Sequence, residues 1–401
     1  MKVPAAARIL IGLVLGLLGG YLAGPGSAAL PVLQTIGGLW LDALRMPIIP
    51  LVFALIVTGI GRGAEIGAST RVAQRAMVLF LLFLSASALF GLTLGSAMFS
   101  GWHVEGLDAV RVAGGSIPDL PPLAETLRAL VPVNPIASAA QGVIVPIVIF
   151  ALLFAVALRR IDPARAGAVG TFFQGTADAL LVVIGWVLLV APIGVFALAF
   201  DVAARSGFAV GALLAWYVVA RVLCGVVLLS AFVLLVAVFA RTPVAAFLRA
   251  ALPAQSVAFS TQSSLASLPA MLEGARTLRL PERHAGTVLP LAVALFRISA
   301  PAAIALAVLA LAHLNAIDLS AAQLALVVVL AVLNNLVIAG LPNQISFFAA
   351  YAPVALAVGV PIELLPLFLA VDTIPDMFAT TANVTADLAV TTVLTDKEPA
   401  D

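Results

Sequence analysis

The stretch "LFLAVDTIPDMFATTANVTADLAVTTVL", residues 367–394, decides the fold. Hydrocarbon-like side chains dominate it, yet it carries Asp372, Asp376, Asn383 and Asp387. At about 100° per residue, these four and Thr380 fall within a helical sector about 80° wide. One face of a helix is therefore polar and the remainder apolar. A carboxylate buried in such surroundings is expensive unless a cation or hydrogen-bond donors neutralise it. The face requires Na+, a proton, a ligand ammonium group or an internal arginine as its partner. A polar stripe that merely packs against neighbouring helices is the plainer alternative.

The rest of the chain sets that helix in a membrane. Charged residues make up 10% of the sequence and hydrophobic ones 63%, whereas soluble domains run about 25% charged. Mean hydropathy is +1.20. Several apolar runs reach the roughly 20 residues that cross a bilayer as helix. They are continuous rather than alternating, which argues against a β-barrel. An all-α polytopic membrane protein embedded in lipid is expected. The net charge of +1 gives no reason to expect nucleic acid as a partner. Cys224 is the single cysteine, so no intrachain disulfide or multi-cysteine metal site can form, and it reads as a small apolar filler. His103, His284 and His313 show no metal-binding spacing. No cofactor is expected beyond a coupling Na+ or H+.

Apolar spans fall at 7–24, 36–60, 74–99, 133–158, 174–200 and 207–240, and residues 100–132, with Pro118, Pro121 and Pro122, read as an extramembrane loop. The first span imitates a signal peptide but is long for one, so it is read as a retained helix. With the N-terminus in the cytoplasm, fourteen of the twenty Lys and Arg residues lie at cytoplasmic ends. Only Arg111, Arg128 and Arg205 lie outside, and Arg45, Arg221 and Arg297 sit within spans. That asymmetry predicts a multi-pass protein of the cell (inner) membrane with both termini cytoplasmic.

Beyond residue 240 the apolar rhythm is interrupted by "STQSSLASLP" (260–269), "FRISAP" (296–301), "NNLVIAGLPNQ" (334–344) and "DTIPDM" (372–377). Broken helix is tolerated at membrane depth only inside protein or along a water-filled cavity, and paired broken segments mark the binding sites of secondary transporters. The breaks form two pairs, each a hairpin followed by a broken span, which predicts an internal repeat. The first hairpin tip offers hydroxyls and free N–H groups to an anion, or else packs between helices. Gly340 and Pro342 at the second tip suit a hinged gate or an ordinary turn. Arg297 is too central in its span to snorkel, so it pairs with Asp372, Asp376 or Asp387, or anchors a substrate carboxylate. Arg45 and Arg221 read as structural anchors at span ends or helix interfaces.

On these residues the sequence resembles the dicarboxylate/amino acid:cation symporter family, the glutamate-transporter homologues. "LWLDALRMPIIPLVFALIVTGI" (39–60), "VPVNPIASAAQGVIVPIVIFALLFAVAL" (131–158) and "LVVIGWVLLVAPIGVFAL" (181–198) are similar to its second, fourth and fifth helices. "STQSSLASLP" is similar to its hairpin 1 and "DTIPDMFATTANVTADL" to its last helix. The resemblance implies eight transmembrane helices plus two re-entrant helical hairpins, in inverted repeats, working as an elevator-type transporter and a homotrimer. Residues 1–73 and 133–204 would hold scaffold helices 1–2 and 4–5, with 100–132 the external loop. Residues 74–99 (helix 3) and 205–401 (helix 6, hairpin 1, helix 7, hairpin 2 and helix 8) would form the transport domain.

The resemblance also implies roles. Asp376 would take a substrate ammonium group. Asn383, helped by Ser263 and Ser264, would take an α-carboxylate, and Thr380 would line the same site. Asp387 would ligate sodium if that ion is retained. Asp372 and Asn383 join it as coupling candidates, and Gln262, Gly340 and Pro342 close the substrate site.

Three departures stand out. Gln262, Met377 and Ala379 occupy the positions where family members carry an arginine for an acidic side chain. The helix-7 sodium motif is replaced by Phe296, Arg297, Ile298, Ser299 and Ala300. Asn343 and Gln344 follow Pro342 where small residues are usual. A guanidinium within about 6 Å of a cation site opposes Na+ by several kcal/mol at intermediate dielectric. Arg297 is therefore expected to replace one sodium by pairing with Asp387 or Asp372. The leading expectation is an importer of a small amino acid with a neutral side chain and reduced sodium coupling. The alternative is a dicarboxylate or acidic amino acid symporter that uses Arg297 as carboxylate anchor. From other classes, a channel or receptor remains open, and an intramembrane aspartyl protease fails because Asp372 and Asp376 lie one turn apart on one helix. No enzyme activity is expected.

Overall fold

The structure is a computed structural model that describes residues 5–67, 71–99, 133–141, 143–207, 209–337 and 343–395. All regular structure among these residues is helical. The expected loop at 100–132 and the second hairpin tip, with Gly340 and Pro342, lie outside the described residues, as do the side chains of Asn343 and Gln344.

The first half comprises α1 (Ala5–Ala23), α2 (Leu30–Arg45), α3 (Ile48–Gly67), α4 (Arg71–Phe99), α5 (Pro135–Ala140), α6 (Ile144–Leu158), α7 (Pro163–Leu189) and α8 (Ala191–Ser206). The apolar run expected at 36–60 begins earlier, and α2 and α3 form one kinked candidate span over Leu30–Thr58. The run expected as a single span at 174–200 is two helices, which corrects that expectation. Pro192 sits at the start of α8, where its missing N–H does no harm and its fixed φ restarts the helix. The carbonyl of Val187, in the last turn of α7, is met from outside by Nε1–H of Trp40 at 3.0 Å.

α1 lies along α8 at close range. A Cβ placed on Gly12, Gly16 or Gly20 would strike the backbone carbonyl oxygens of Pro192, Phe196 and Phe200 in turn. Four-residue spacing puts the three glycines on one face, and small residues there let two backbones meet in lipid.

The second half holds α9 (Ala209–Phe239), α10 (Val244–Thr261), α11 (Ser264–Thr277), α12 (Glu282–Leu295), α13 (Ser299–Leu314), α14 (Ala321–Val337), α15 (Asn343–Ala357), α16 (Leu365–Val371) and α17 (Thr373–Thr395). Three of the four expected interruptions, at 260–269, 296–301 and 372–377, fall at helix ends among the described residues. Gln262 adopts φ +55° as the C-cap of α10, and Ser263 caps α11 by accepting from the N–H of Ala266. These two residues turn the chain so that α10 and α11 pack together.

The polar helices sit inside. In the most apolar 18 residues across α12 and α13, 83% are buried, against 11% in the most apolar 18 of α7. α4 packs on α13, and α9, α10, α11 and α12 pack on α17. α1 and α2 pack instead on α8, and α3 on α6 and α7. Large apolar residues of α7 such as Phe172, Trp186 and Leu189 stay exposed, as a face toward lipid requires. Among the described residues the chain is a polytopic α-helical membrane protein with six helical stretches long and apolar enough to span a bilayer.

Candidate functional site

Each break in a central helix strands backbone groups that cannot turn to water, at several kcal/mol apiece. The break at Phe296–Ile298 is satisfied from three other helices. The carbonyl of Leu295 accepts from Nδ2 of Asn335 at 3.3 Å. The N–H of Ser299 donates to Oδ1 of Asn383 at 2.8 Å, and the Ser299 hydroxyl donates to the same oxygen at 2.9 Å. The carbonyl of Ile298 accepts from the hydroxyl of Ser87 at 2.5 Å. Phe296 pins the break by stacking on Phe80 at 4.5 Å, with Phe232 edge-on at 5.8 Å. Arg297 is therefore fixed between two locked neighbours.

The second break lies at Asp372, between α16 and α17. The N–H of Asp376 donates to the carbonyl of Asp372 at 2.9 Å. The side chain of Asp372 meets Nη2 of Arg221 at 3.1 Å, both only 3% exposed. Gln262 joins this break to the first hairpin by donating to the carbonyl of Thr373 at 2.8 Å. A helix-internal proline makes a third orphan. Pro353 has no N–H for the carbonyl of Ala349, which Nδ2 of Asn334 meets at 3.0 Å.

Between these breaks lies a cavity of about 30 Å3, whose polar lining includes Arg221, Arg297, Asn334, Asn335, Asp376 and Asn383. Phe347, Ala350 and Tyr351 of α15 close one wall, where Tyr351 stacks on Phe347 at 4.2 Å. Oδ2 of Asp376 and Oδ1 of Asn335 are buried without a hydrogen-bond partner. Asn383 has already committed its oxygen to Ser299, so its NH2 group remains for a ligand. The arrangement can hold an ammonium group at Asp376 and a carboxylate at Arg297.

Of the residues singled out in the sequence, Arg297, Asp376 and Asn383 meet in this cavity. Thr380 is buried but does not line it, and Gln262, Ser263 and Ser264 stay at the hairpin turn. Asp372 stands behind the lining, held by Arg221. Asp387 lies deeper on α17, 1% exposed, and neither oxygen has a hydrogen-bond partner among the described residues.

The expected pairing of Arg297 with Asp372 or Asp387 is corrected. Arg221 takes Asp372 because α9 packs against both α16 and α17. Among the described residues no acidic side chain is within ion-pair distance of Arg297. Arg221 was read only as an anchor, although an arginine in the middle of the apolar run "WYVVARVLCGVV" carries the same signal as Arg297. Asp387, buried and partnerless, fits a monovalent cation or a proton. A divalent metal wants several charged ligands, and the described residues hold no cluster of three or more His, Cys, Asp or Glu.

The profile of the sodium:dicarboxylate symporter family matches residues 5–397. The chain is 29% identical to the proton/sodium-glutamate symport protein of Bacillus subtilis (strain 168), over 99% of this chain and 94% of that protein. It is 27% identical to the proton/glutamate-aspartate symporter of Escherichia coli (strain K12), over 98% and 93%. A neutral amino acid transporter B(0) of Oryctolagus cuniculus matches at 26% over 96% of this chain and 77% of its own length.

The two bacterial relatives, named for acidic amino acids, match more of both chains, and they overturn the expectation of a neutral side chain. The physical reason is visible in the cavity. Loss of arginine at positions 262, 377 and 379 does not leave the site without a guanidinium, because Arg221 of α9 and Arg297 at the break before α13 line it.

Proposed function

The chain belongs to the sodium:dicarboxylate symporter family, and from that premise we propose that it is a cation-coupled symporter importing an acidic amino acid or a related dicarboxylate, with Arg297 as its carboxylate anchor. One observation carries the reading: Arg297 lines the same cavity as Asp376 and Asn383 and has no acidic partner within ion-pair distance among the described residues. An unpaired guanidinium facing a buried cavity calls for an anion there. Asp376 receives the ligand ammonium group, and the NH2 of Asn383 assists a carboxylate. Asp387 receives the coupling cation, Na+ or H+. Asp372, neutralised by Arg221, contributes orientation rather than a cation site.

The cavity is too small for such a ligand as it stands. One water needs about 10–15 Å3 on this measure, so about 30 Å3 holds a few waters at most. Entry requires the α15 wall to withdraw, which supports α14 and α15 as the gate, the hairpin in whose sequence Gly340 and Pro342 fall. Gln262, Ser263, Ser264 and Thr380 complete the site when it opens or closes around the ligand.

The packing supports the wider architecture of eight membrane helices, two re-entrant hairpins and inverted repeats. α1, α2, α3, α6, α7 and α8 form a homotrimeric scaffold, and α4 with α9–α17 forms the part that moves as an elevator. Charge asymmetry supports an inner-membrane protein with cytoplasmic termini.

A thermal-shift panel of purified protein tests the reading, because ligand stabilisation follows affinity. L-Aspartate, L-glutamate or succinate should raise the melting temperature, more so with Na+ or at a favourable pH, while L-alanine should not. Saturable counterflow in proteoliposomes separates a carrier from a channel or receptor. Stabilisation by L-alanine alone would defeat the proposal.

A further inference from the structure

Arg221 has a second feature that its ion pair with Asp372 does not account for. Arg221 lines the cavity as well as binding Asp372. Only Nη2 is engaged by Asp372, at 3.1 Å, and Nε is buried with no hydrogen-bond partner. A guanidinium carries five N–H donors and no acceptor, so one carboxylate does not exhaust it. The serines of the first hairpin turn, which could also donate to a second ligand carboxylate, do not line the cavity, and Asn383 offers a carboxylate only its neutral NH2.

We propose that Arg221 is a specificity-determining residue: oriented by Asp372, it binds one carboxylate of the ligand while Arg297 binds the other. The site then selects molecules with two carboxylates over their monoamides. This rests on the acidic-ligand reading above and adds to it a second anchor from a different helix. Asp372 acts as the positioning residue, since its carboxylate fixes where the guanidinium points.

The rival is a purely structural ion pair. Removing one partner of a buried pair leaves an uncompensated charge, whereas replacing both with neutral groups is often tolerated. The test therefore uses the double variant Arg221→Met/Asp372→Asn in the full chain. Arg221→Lys, which keeps a charge beside Asp372 but loses the planar fork, is the second variant and reports even if the double variant does not fold. Affinities are measured for L-aspartate and for its two monoamides, L-asparagine and L-isoasparagine.

The expected result is a loss of about 10-fold or more for L-aspartate, with one monoamide bound as well as by the unaltered protein. That monoamide lacks the carboxylate Arg221 would have held. Arg221→Lys should show the same pattern, less steeply. Equal losses for all three ligands, or no loss for any, would overturn the proposal. If the unaltered protein binds neither L-aspartate nor succinate, the acidic-ligand reading falls and takes this inference with it. If Arg297→Met weakens L-aspartate and the double variant does not, only the role of Arg221 fails.

Discussion

Two interfaces of this molecule solve the same problem, helix against helix in lipid, by opposite means. Along α1 and α8 the contact is steric: three glycines let one backbone lie on the carbonyl oxygens of another. Around α12, α13 and α17 the contact is polar: Asn335, Asn383 and Ser87 meet the carbonyls and N–H groups that a broken helix releases. The first kind leaves no slack and nothing to bind. The second kind concentrates hydrogen-bonding groups at one depth, and the cavity forms there. Rigidity and binding capacity are thus divided between the two interfaces.

The largest effect is expected on the steric side. Gly16→Leu should prevent recovery of monodisperse protein or lower stability by more than about 3 kcal/mol, since a backbone carbonyl cannot step aside as a side chain can. Size-exclusion profiles and melting curves in detergent report this directly. A well-folded Gly16→Leu protein would show that the close approach carries no weight.

On the polar side, Asn383→Leu leaves the Ser299 N–H and hydroxyl without their acceptor and should cost about 2–5 kcal/mol. Its melting temperature measured without ligand separates that structural loss from any loss of binding. Asn335→Leu should cost about 1 kcal/mol, because it strands one carbonyl whose bond is already long at 3.3 Å. An Asn335→Leu effect equal to that of Asn383→Leu would mean that the two sides of the break are equally supported.

The smallest effect is expected at Arg45 and Glu363, paired at 2.5 Å with side chains 36% and 34% exposed. Arg45→Gln should change stability by less than about 1 kcal/mol, as half-solvated ion pairs do. The same pair links α2 to the segment between α15 and α16, so a change in transport rate without a change in melting temperature would locate it at a moving boundary.

The polar face of α17 and the interruptions at 260–269, 296–301 and 372–377 were legible in the sequence because each violates hydropathy, and lipid forgives few violations. Proline did not mark where these helices stop: Pro253, Pro269, Pro290 and Pro353 all lie inside helices. The partners were not legible. Arg221 and Asp372 stand 151 residues apart, and nothing local says which of the three arginines within apolar spans takes which aspartate. The neutral-ligand expectation failed for a related reason. It looked for an arginine at 262, 377 or 379, whereas the fold brings guanidinium groups from α9 and the break before α13 to the same cavity. The division of 174–200 into α7 and α8 had a plain signal in Pro192. The spacing of Gly12, Gly16 and Gly20 was a second plain signal, visible in the sequence and resolved only by the packing of α1 on α8.

The role of Arg297 as carboxylate anchor is tested most directly by uptake of L-aspartate into proteoliposomes, comparing the unaltered protein with Arg297→Gln, with Na+ and pH gradients imposed separately. Uptake by the unaltered protein should be saturable and gradient-dependent, and loss of the guanidinium should raise KM at least about 10-fold. An unchanged KM for L-aspartate in Arg297→Gln would contradict that role.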